Sequence, residues 1–166
     1  MIDTIVFEEI QEQHLPAIMR TYNYYVEHTT ISFHTEPLTL EEIRNNVIHQ
    51  SPKYKSFVIL DEGMFKGYVL ITQYKNKQAY DVTAEVTIYL DPEQLGHGLG
   101  SRAIAFLEKQ GRASGFRVLI ATVCTENERS IRLFEKHGYM KCAHFKEIGF
   151  KFGRRLDIAS YQKIIE

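Results

Sequence analysis

The spacing of apolar residues changes several times along the chain, and each change marks an element. Thr4-Ile5-Val6-Phe7-Glu8 is β-branched and aromatic and predicts a first strand. From His14 to Val26 the apolar residues Leu15, Ile18, Met19, Tyr22 and Val26 recur at helical spacing. A polar, proline-containing stretch from His28 to Pro37 then predicts a loop. Thr39-Leu40-Glu41-Glu42 is a capping-box pattern, opening a helix to about His49. Ser56 to Leu60 and Phe65 to Thr72 predict two strands joined through Asp61-Glu62-Gly63. After a polar stretch from Tyr74 to Asp81, the segment Ala84 to Leu90 alternates Glu85, Thr87 and Tyr89 with Val86, Ile88 and Leu90, a strand with two distinct faces. A helix follows to about Ser114 and stops at Gly115. Val118 to Val123 is nearly all apolar and predicts a central strand. Asn127 caps a helix from Glu128 to His137, ended by Gly138. Tyr139 to Ile165 holds two β-rich segments split at residues 149–153. The order β-α-α-β-β-β-α-β-α-β-β predicts a mixed α/β (α+β) domain spanning residues 1–166, with helices on both faces of a mixed sheet.

The segment between the strand ending at Leu90 and the next helix carries the clearest chemistry. Gly96, Gly98 and Gly100 fall at alternate positions just before a helical pattern. Such a turn leaves several N–H groups unpaired at the positive end of a helix, a cradle for phosphate. Two cofactors compete for it. Gly98-Leu99-Gly100-Ser101-Arg102-Ala103 matches the dinucleotide fingerprint G-x-G-x-x-A. That fingerprint also needs an acidic residue about 20 positions on, and Leu119 to Val123 has none. Leu95-Gly96-His97-Gly98-Leu99-Gly100 instead fits the acyl-CoA turn Q/R-x-x-G-x-G/A except at its first place. A glycine-rich loop without a ligand is the third reading.

Composition narrows the classes. The 166 residues, 44% hydrophobic, suffice for one well-buried core. A net charge of −1 with interspersed signs gives no basic run for nucleic acid. No apolar stretch is long enough to cross a bilayer, and the N-terminus lacks a signal-peptide pattern. Two cysteines, Cys124 and Cys142, have no metal-type spacing, and the seven histidines form no H-E-x-x-H, so no metal site is expected. A reducing cytoplasm fits this cysteine usage.

Glu85 shares a strand face with Tyr89 and leads into the turn, which makes it a candidate general base; a surface glutamate is the plainer reading. Asn127 either caps its helix or also bonds a cofactor amide. Lys77 in the 74–81 loop either meets a substrate carboxylate or is solvated. Phe33 is either tucked in or a substrate-facing wall. Lys151 to Asp157 reads equally as a dimer contact or a solvated hairpin.

Longer stretches carry a resemblance. They are Tyr22-Asn23-Tyr24-Tyr25-Val26, Phe33-His34-Thr35-Glu36-Pro37, Ala79-Tyr80-Asp81-Val82-Thr83-Ala84-Glu85, Leu133 to Tyr139, and Lys151-Phe152-Gly153-Arg154. With the element order and the glycine turn, the chain resembles GNAT N-acetyltransferases, and within them the phosphinothricin and methionine sulfone/sulfoximine acetyltransferases. The resemblance covers nearly the whole chain and displaces the dinucleotide reading. It implies a GNAT-type central sheet, mixed and mostly antiparallel, flanked by helices. It implies acetyl-CoA as co-substrate, held by Ile88, Tyr89 and Leu90, by Leu95, Gly96, His97, Gly98, Leu99, Gly100 and Ser101, and by Asn127. It implies Glu85 as base, a substrate pocket of Phe33, Lys77 and Tyr80, a small-molecule amine acceptor and a homodimer. Four positions depart from the pattern. Leu95 replaces a polar residue, Lys77 stands where some members have arginine, Phe134 stands where many have a tyrosine acid, and Leu156 stands where some have a histidine. A CoA-binding module without catalysis, or an interaction protein on the same fold, are the other classes. Glu85 argues against the first and the intact turn against the second.

Overall fold

The computed structural model describes residues 2–166. Its strands are β1 (Ile5–Glu9), β2 (Lys55–Asp61), β3 (Met64–Gln73), β4 (Thr83–Leu90), β5 (Val118–Cys124), β6 (Met140–Lys151) and β7 (Arg154–Ile164). Its α-helices are α1 (Leu15–His28), α2 (Leu40–Val47), α3 (Leu99–Ala113) and α4 (Glu128–Lys136). The order along the chain is the one expected from the sequence. The seven strands form one sheet in the order β1-β2-β3-β4-β5-β7-β6. Every neighbouring pair is antiparallel except β4 and β5, which are parallel.

Local signals account for most boundaries. The capping box at α2 is formed: Thr39 Oγ1 accepts from the Glu42 N–H at 3.2 Å, and the Thr39 N–H donates to the Glu42 carboxylate at 2.8 Å. Gly98 opens α3 in the left-handed region at φ 76°, and Gly138 follows α4 at φ 87°. Two boundaries differ from the expectation. A 3₁₀ turn at Glu12–His14 precedes α1, which runs on to His28. β6 passes through Gly149 and turns only at Phe152-Gly153, both at positive φ. Gly149 is a strand residue because the Phe33 ring lies on it: a Cβ there would stand 2.5 Å from Phe33 Cε2.

The alternation along the strands separates two apolar layers. Val69 and Ile71 of β3, with Val86 of β4, pack under Leu99, Ala103, Ile104 and Leu107 of α3 and Phe134 of α4. Tyr68 of β3 and Val58 of β2 pack on the other face with Leu15 and Ile18 of α1 and Ile43 and Val47 of α2. Tyr89 joins this second layer, while Ile88 and Leu90 join the first, as the two-faced reading of β4 requires. No helix is long and apolar enough to cross a membrane, among the described residues.

The parallel contact of β4 with β5 is short. Thr83, Ala84 and Glu85 pair with Val118, Leu119 and Ile120, and the register ends there. Both strands continue, β4 held only by β3 and β5 only by β7. From Val86 onward the two diverge and leave a wedge in the middle of the sheet.

Candidate active site

A narrow slot occupies that wedge. It is lined by Val86, Thr87, Ile88 and Tyr89 of β4, by Ala121, Thr122 and Val123 of β5, by Asn127, Ser130 and Phe134 of α4's capped face, and by Ile31. Beyond Glu85 the β4 backbone has no strand partner on this side, so its N–H and C=O groups are available to a ligand lying along it. The Leu90 carbonyl is an exception, since it accepts from the Tyr25 hydroxyl. Asn127 Oδ1 accepts from the Ser130 N–H at 3.2 Å. That bond is an N-cap, and it leaves the Asn127 amide N–H₂ free beside the slot, so capping and ligand contact are compatible here.

At the end of β4 the chain passes through Pro92–Gln94, a 3₁₀ turn, and enters the glycine turn. The three glycines do different jobs. Gly96 and Gly98 have φ of 85° and 76°, and a Cβ on either would meet nothing within 4 Å. No side chain caps α3, so the first N–H groups of the helix face open space. A diphosphate fits this cradle: the donors are free, the dipole is favourable and no side chain intrudes. Gly100 has another role. A Cβ there would stand 2.7 Å from Leu133 Cδ2, so its missing side chain lets α3 pack against α4. His97 is exposed, and Ser101 Oγ bonds His137 Nε2 at 2.9 Å.

A second, wider cleft of about 420 Å³ opens on the α1 side of the sheet. It is lined by Tyr22 of α1, by Ile31, Ser32, Phe33 and His34 of the loop after α1, by Glu85 and Tyr89 of β4, by Thr122, Val123 and Cys124 of β5, and by Ile158 of β7. The slot and the cleft share Ile31, Tyr89, Thr122 and Val123, so a group at the end of the slot emerges beside Glu85.

Glu85 is partly buried, and no cation pairs with it among the described residues. Burial alone pushes its carboxyl above the usual carboxylate range. The surroundings are rich in phenols. Tyr89 is raised by burial first, then by Tyr22, Tyr25 and Glu85. Tyr25 is raised to about 12, again chiefly by burial. All these shifts share one cause, the partial burial of these groups between α1 and β4.

The loop that carries Phe33 is fastened from behind. Lys151, only 4% exposed, donates from Nζ to the Ser32 carbonyl at 2.7 Å. Arg154 pairs with Glu126 at 2.7 Å, and Glu126 accepts from Thr30 Oγ1 at 2.9 Å. The Lys151–Arg154 stretch, read as a dimer contact or a solvated hairpin, therefore holds the wall of the cleft.

Lys77 and Tyr80, expected in the substrate pocket by resemblance, do not line this cleft. Their loop closes on itself in a 3₁₀ turn, with the Tyr80 N–H donating to the Lys77 carbonyl at 2.9 Å. The Tyr80 ring stands edge-on to Tyr74 at 5.6 Å, with Lys75 Nζ over both rings. Phe134 is buried against Tyr139, its ring 5.0 Å away, and brings no hydroxyl to the slot. Sequence reasoning did not find Tyr22, Ser32, His34 or Thr122. Tyr22 counted there as one residue of a helical stripe and Thr122 as part of a buried strand.

A wedge between parallel strands, an open glycine turn after β4 and a carboxylate beside the slot's inner end are the features that a CoA-dependent acyltransferase needs. The family model of the Acetyltransferase (GNAT) family matches residues 18–139, and the chain belongs to that family. It is 33% identical over 156 residues to a phosphinothricin N-acetyltransferase of Streptomyces coelicolor, covering 92% of this chain and 91% of that protein. It is 29% identical over 147 residues to an L-methionine sulfoximine/L-methionine sulfone acetyltransferase of Salmonella typhimurium, covering 88% of this chain and 86% of that one. A phosphinothricin acetyltransferase of Sinorhizobium meliloti, solved in complex with AcCoA, superposes with a TM-score of 0.91 at 29% identity, over 98% of this chain and 89% of that one. The protein is an acetyl-CoA-dependent N-acetyltransferase, and its fold is the mixed, mostly antiparallel sheet with helices on both faces that the sequence led us to expect.

Two outcomes follow from this geometry. Gly98→Val forces a β-branched residue into a left-handed backbone, at a cost of about 1–2 kcal/mol, and abolishes acetyl-CoA affinity while the fold persists. Gly100→Val loses stability through overpacking against Leu133, by about 1–3 kcal/mol, and Leu133→Ala relieves part of that loss. Urea unfolding and isothermal titration with acetyl-CoA separate the two. Glu85 supplies the second outcome. A carboxyl raised in the folded state favours folding below its unfolded pKa, and that contribution is lost as pH rises through the raised value. Glu85→Gln is therefore more stable than the parent at pH 7, and the difference vanishes near pH 4 in chemical denaturation.

Proposed function

We propose that this acetyltransferase acetylates the α-amino group of a small amino-acid-like acceptor of the phosphinothricin, methionine sulfoximine or methionine sulfone type, with Glu85 as general base. The observation that carries the reading is Glu85 itself, a carboxylate with no cation beside it, facing the point where the slot meets the cleft. The acceptor class rests on the acceptors named for the similar proteins from S. coelicolor and Salmonella, and on a cleft of about 420 Å³, which suits a short side chain.

Each step has a residue. The amide groups of residues 95–101 take the diphosphate of acetyl-CoA, and the unpaired edge of Ile88, Tyr89 and Leu90 takes its amide-bearing arm alongside Asn127. The acceptor arrives as an ammonium ion without a lone pair. Glu85, directly or through water, removes one proton. The amine nitrogen then bonds the thioester carbon, and a β4 backbone N–H near Tyr89 or Leu90 meets the charge that develops on the carbonyl oxygen. The C–S bond breaks, sulfur leaves as thiolate, and the second proton of the amine nitrogen passes to the thiolate or to water, leaving the neutral amide. A thiol with an ordinary pKa of about 8.5 needs little help to leave, so Phe134 in place of a tyrosine is tolerated. Phe33 walls the acceptor. Lys77 and Tyr80 stand outside the cleft and are given no step in this reading.

The same reading puts the protein in the cytoplasm, as a homodimer. Both cysteines are free, which suits a reducing compartment. Phe145, Ile148, Phe150 and Phe152 expose apolar side chains on β6 and its hairpin, which supports a face that meets a second copy. Sedimentation velocity yields a dimer, and charged substitutions at Phe145 and Phe150 shift it to monomer.

Steady-state assays on phosphinothricin, methionine sulfoximine and methionine sulfone, beside spermidine and a histone-like peptide, test the acceptor. The amino acids are acetylated and the others are not. Glu85→Gln keeps the KM for acetyl-CoA and loses about 10²–10⁴ in kcat, less at high pH where more amine is already neutral. Acetylation of spermidine or the peptide alone would overturn the acceptor class. An undiminished kcat in Glu85→Gln would remove Glu85 from the chemistry.

A further inference from the structure

The wider cleft presents an electrostatic problem that no residue assigned so far solves. An amino-acid acceptor brings a carboxylate into a space that already holds the Glu85 carboxylate. Burying two like charges together without a partner is costly. Neither lysine nor arginine lines the cleft, and Lys77 lies outside it. One lining side chain can carry positive charge, namely His34.

Hydrogen bonds hold that imidazole in one sense. The His34 backbone N–H donates to Ser32 Oγ at 3.2 Å, and Ser32 Oγ donates to the Tyr22 hydroxyl at 2.8 Å. The Tyr22 hydroxyl contacts His34 Nδ1. Ser32 Oγ donates to that hydroxyl, which leaves the Tyr22 proton available to Nδ1. The bonds close a ring through the His34 backbone, Ser32, Tyr22 and the imidazole, and in the tautomer with Nδ1 as acceptor every hydroxyl proton of the ring is used. The imidazole proton then sits on Nε2, as a donor on a ring that lines the cleft. The frame is stiff. The Tyr22 ring stands edge-on to Tyr89 at 5.3 Å, and Lys151 fixes the Ser32 carbonyl. Ser32 and Tyr22 spend their own protons inside this ring, so His34 Nε2–H is the donor left over for a ligand.

We infer that His34, oriented by Tyr22 and Ser32, binds the carboxylate of the amino-acid acceptor and so selects α-amino acids over simple amines. The inference rests on the acceptor class proposed above. On binding, the carboxylate accepts from Nε2–H. The α-ammonium group is thereby turned toward Glu85.

The test pairs variants with two acceptors that differ by one group: L-methionine sulfone, and 3-(methylsulfonyl)propylamine, which lacks the carboxylate. His34→Phe keeps a ring in place and removes the donor. It raises the KM for methionine sulfone about 10- to 100-fold, leaves the KM for acetyl-CoA unchanged, and changes kcat/KM for the amine less than about threefold. His34→Gln, which retains a side-chain N–H, recovers part of the loss. Tyr22→Phe, which frees Nδ1, shifts the same ratio in the same direction by a smaller factor. An unchanged KM for methionine sulfone in His34→Phe, or equal losses for the two acceptors, overturns the inference while leaving the amino-acid reading intact. If the parent protein acetylates the amine and not methionine sulfone, the acceptor class itself is wrong, and the role of His34 falls with it.

Discussion

The functional architecture depends on one interrupted contact, the parallel pairing of β4 with β5 that stops at Glu85 and Ile120. A sheet ordinarily satisfies the backbone groups of its inner strands completely. Here two inner strands part company halfway, and each is kept in place by its other neighbour. The polar edge so exposed is the feature a chain of amides can add to as though it were a strand. Everything reactive is arranged around that edge. Glu85 is the last residue of β4 paired with β5, Tyr89 lies four residues on along the same face, and the glycine turn begins five residues after the strand ends.

The same geometry explains the state of Glu85. A half-buried carboxylate at the apex of the wedge lines the same cleft as the phenols of Tyr22 and Tyr89. Desolvation raises its proton affinity, and no guanidinium or ammonium is placed to lower it. A carboxylate in that condition costs folding stability at neutral pH and holds a proton more readily than a solvated one. The two consequences have one cause, which is the burial of a charge without a counterion.

Support for the cleft comes from far along the chain. The loop of residues 29–37 has little regular structure of its own. It is held by Lys151, which reaches the Ser32 carbonyl, by Gly149, which receives the Phe33 ring, and by the Arg154–Glu126–Thr30 bridge. A buried lysine bonded to a backbone carbonyl is an expensive tether, with its amine pushed below the usual range by burial. Its position behind the wall of the cleft places that cost where a mobile loop would blur acceptor selection.

Local patterns in the sequence determined the elements and their order. The spacing of Leu15, Ile18, Tyr22 and Val26 makes α1, the Thr39–Glu42 pair starts α2, and the alternation from Glu85 to Leu90 gives β4 its two faces. The glycine turn was legible for the same reason: left-handed backbone at Gly96 and Gly98, followed at once by a helix, is a property of adjacent residues. Tertiary structure decided what lies opposite what. It gave Gly100 to Leu133, although its spacing matches that of the two cradle glycines. It drew Tyr22, Ser32 and His34 into the cleft and left Lys77 and Tyr80 outside it. It brought Lys151 to Ser32 across 119 residues. Periodicity and capping act within a few residues and can be read along the chain. The meeting of distant side chains depends on the register of seven strands and the twist between them, which no single stretch of sequence contains.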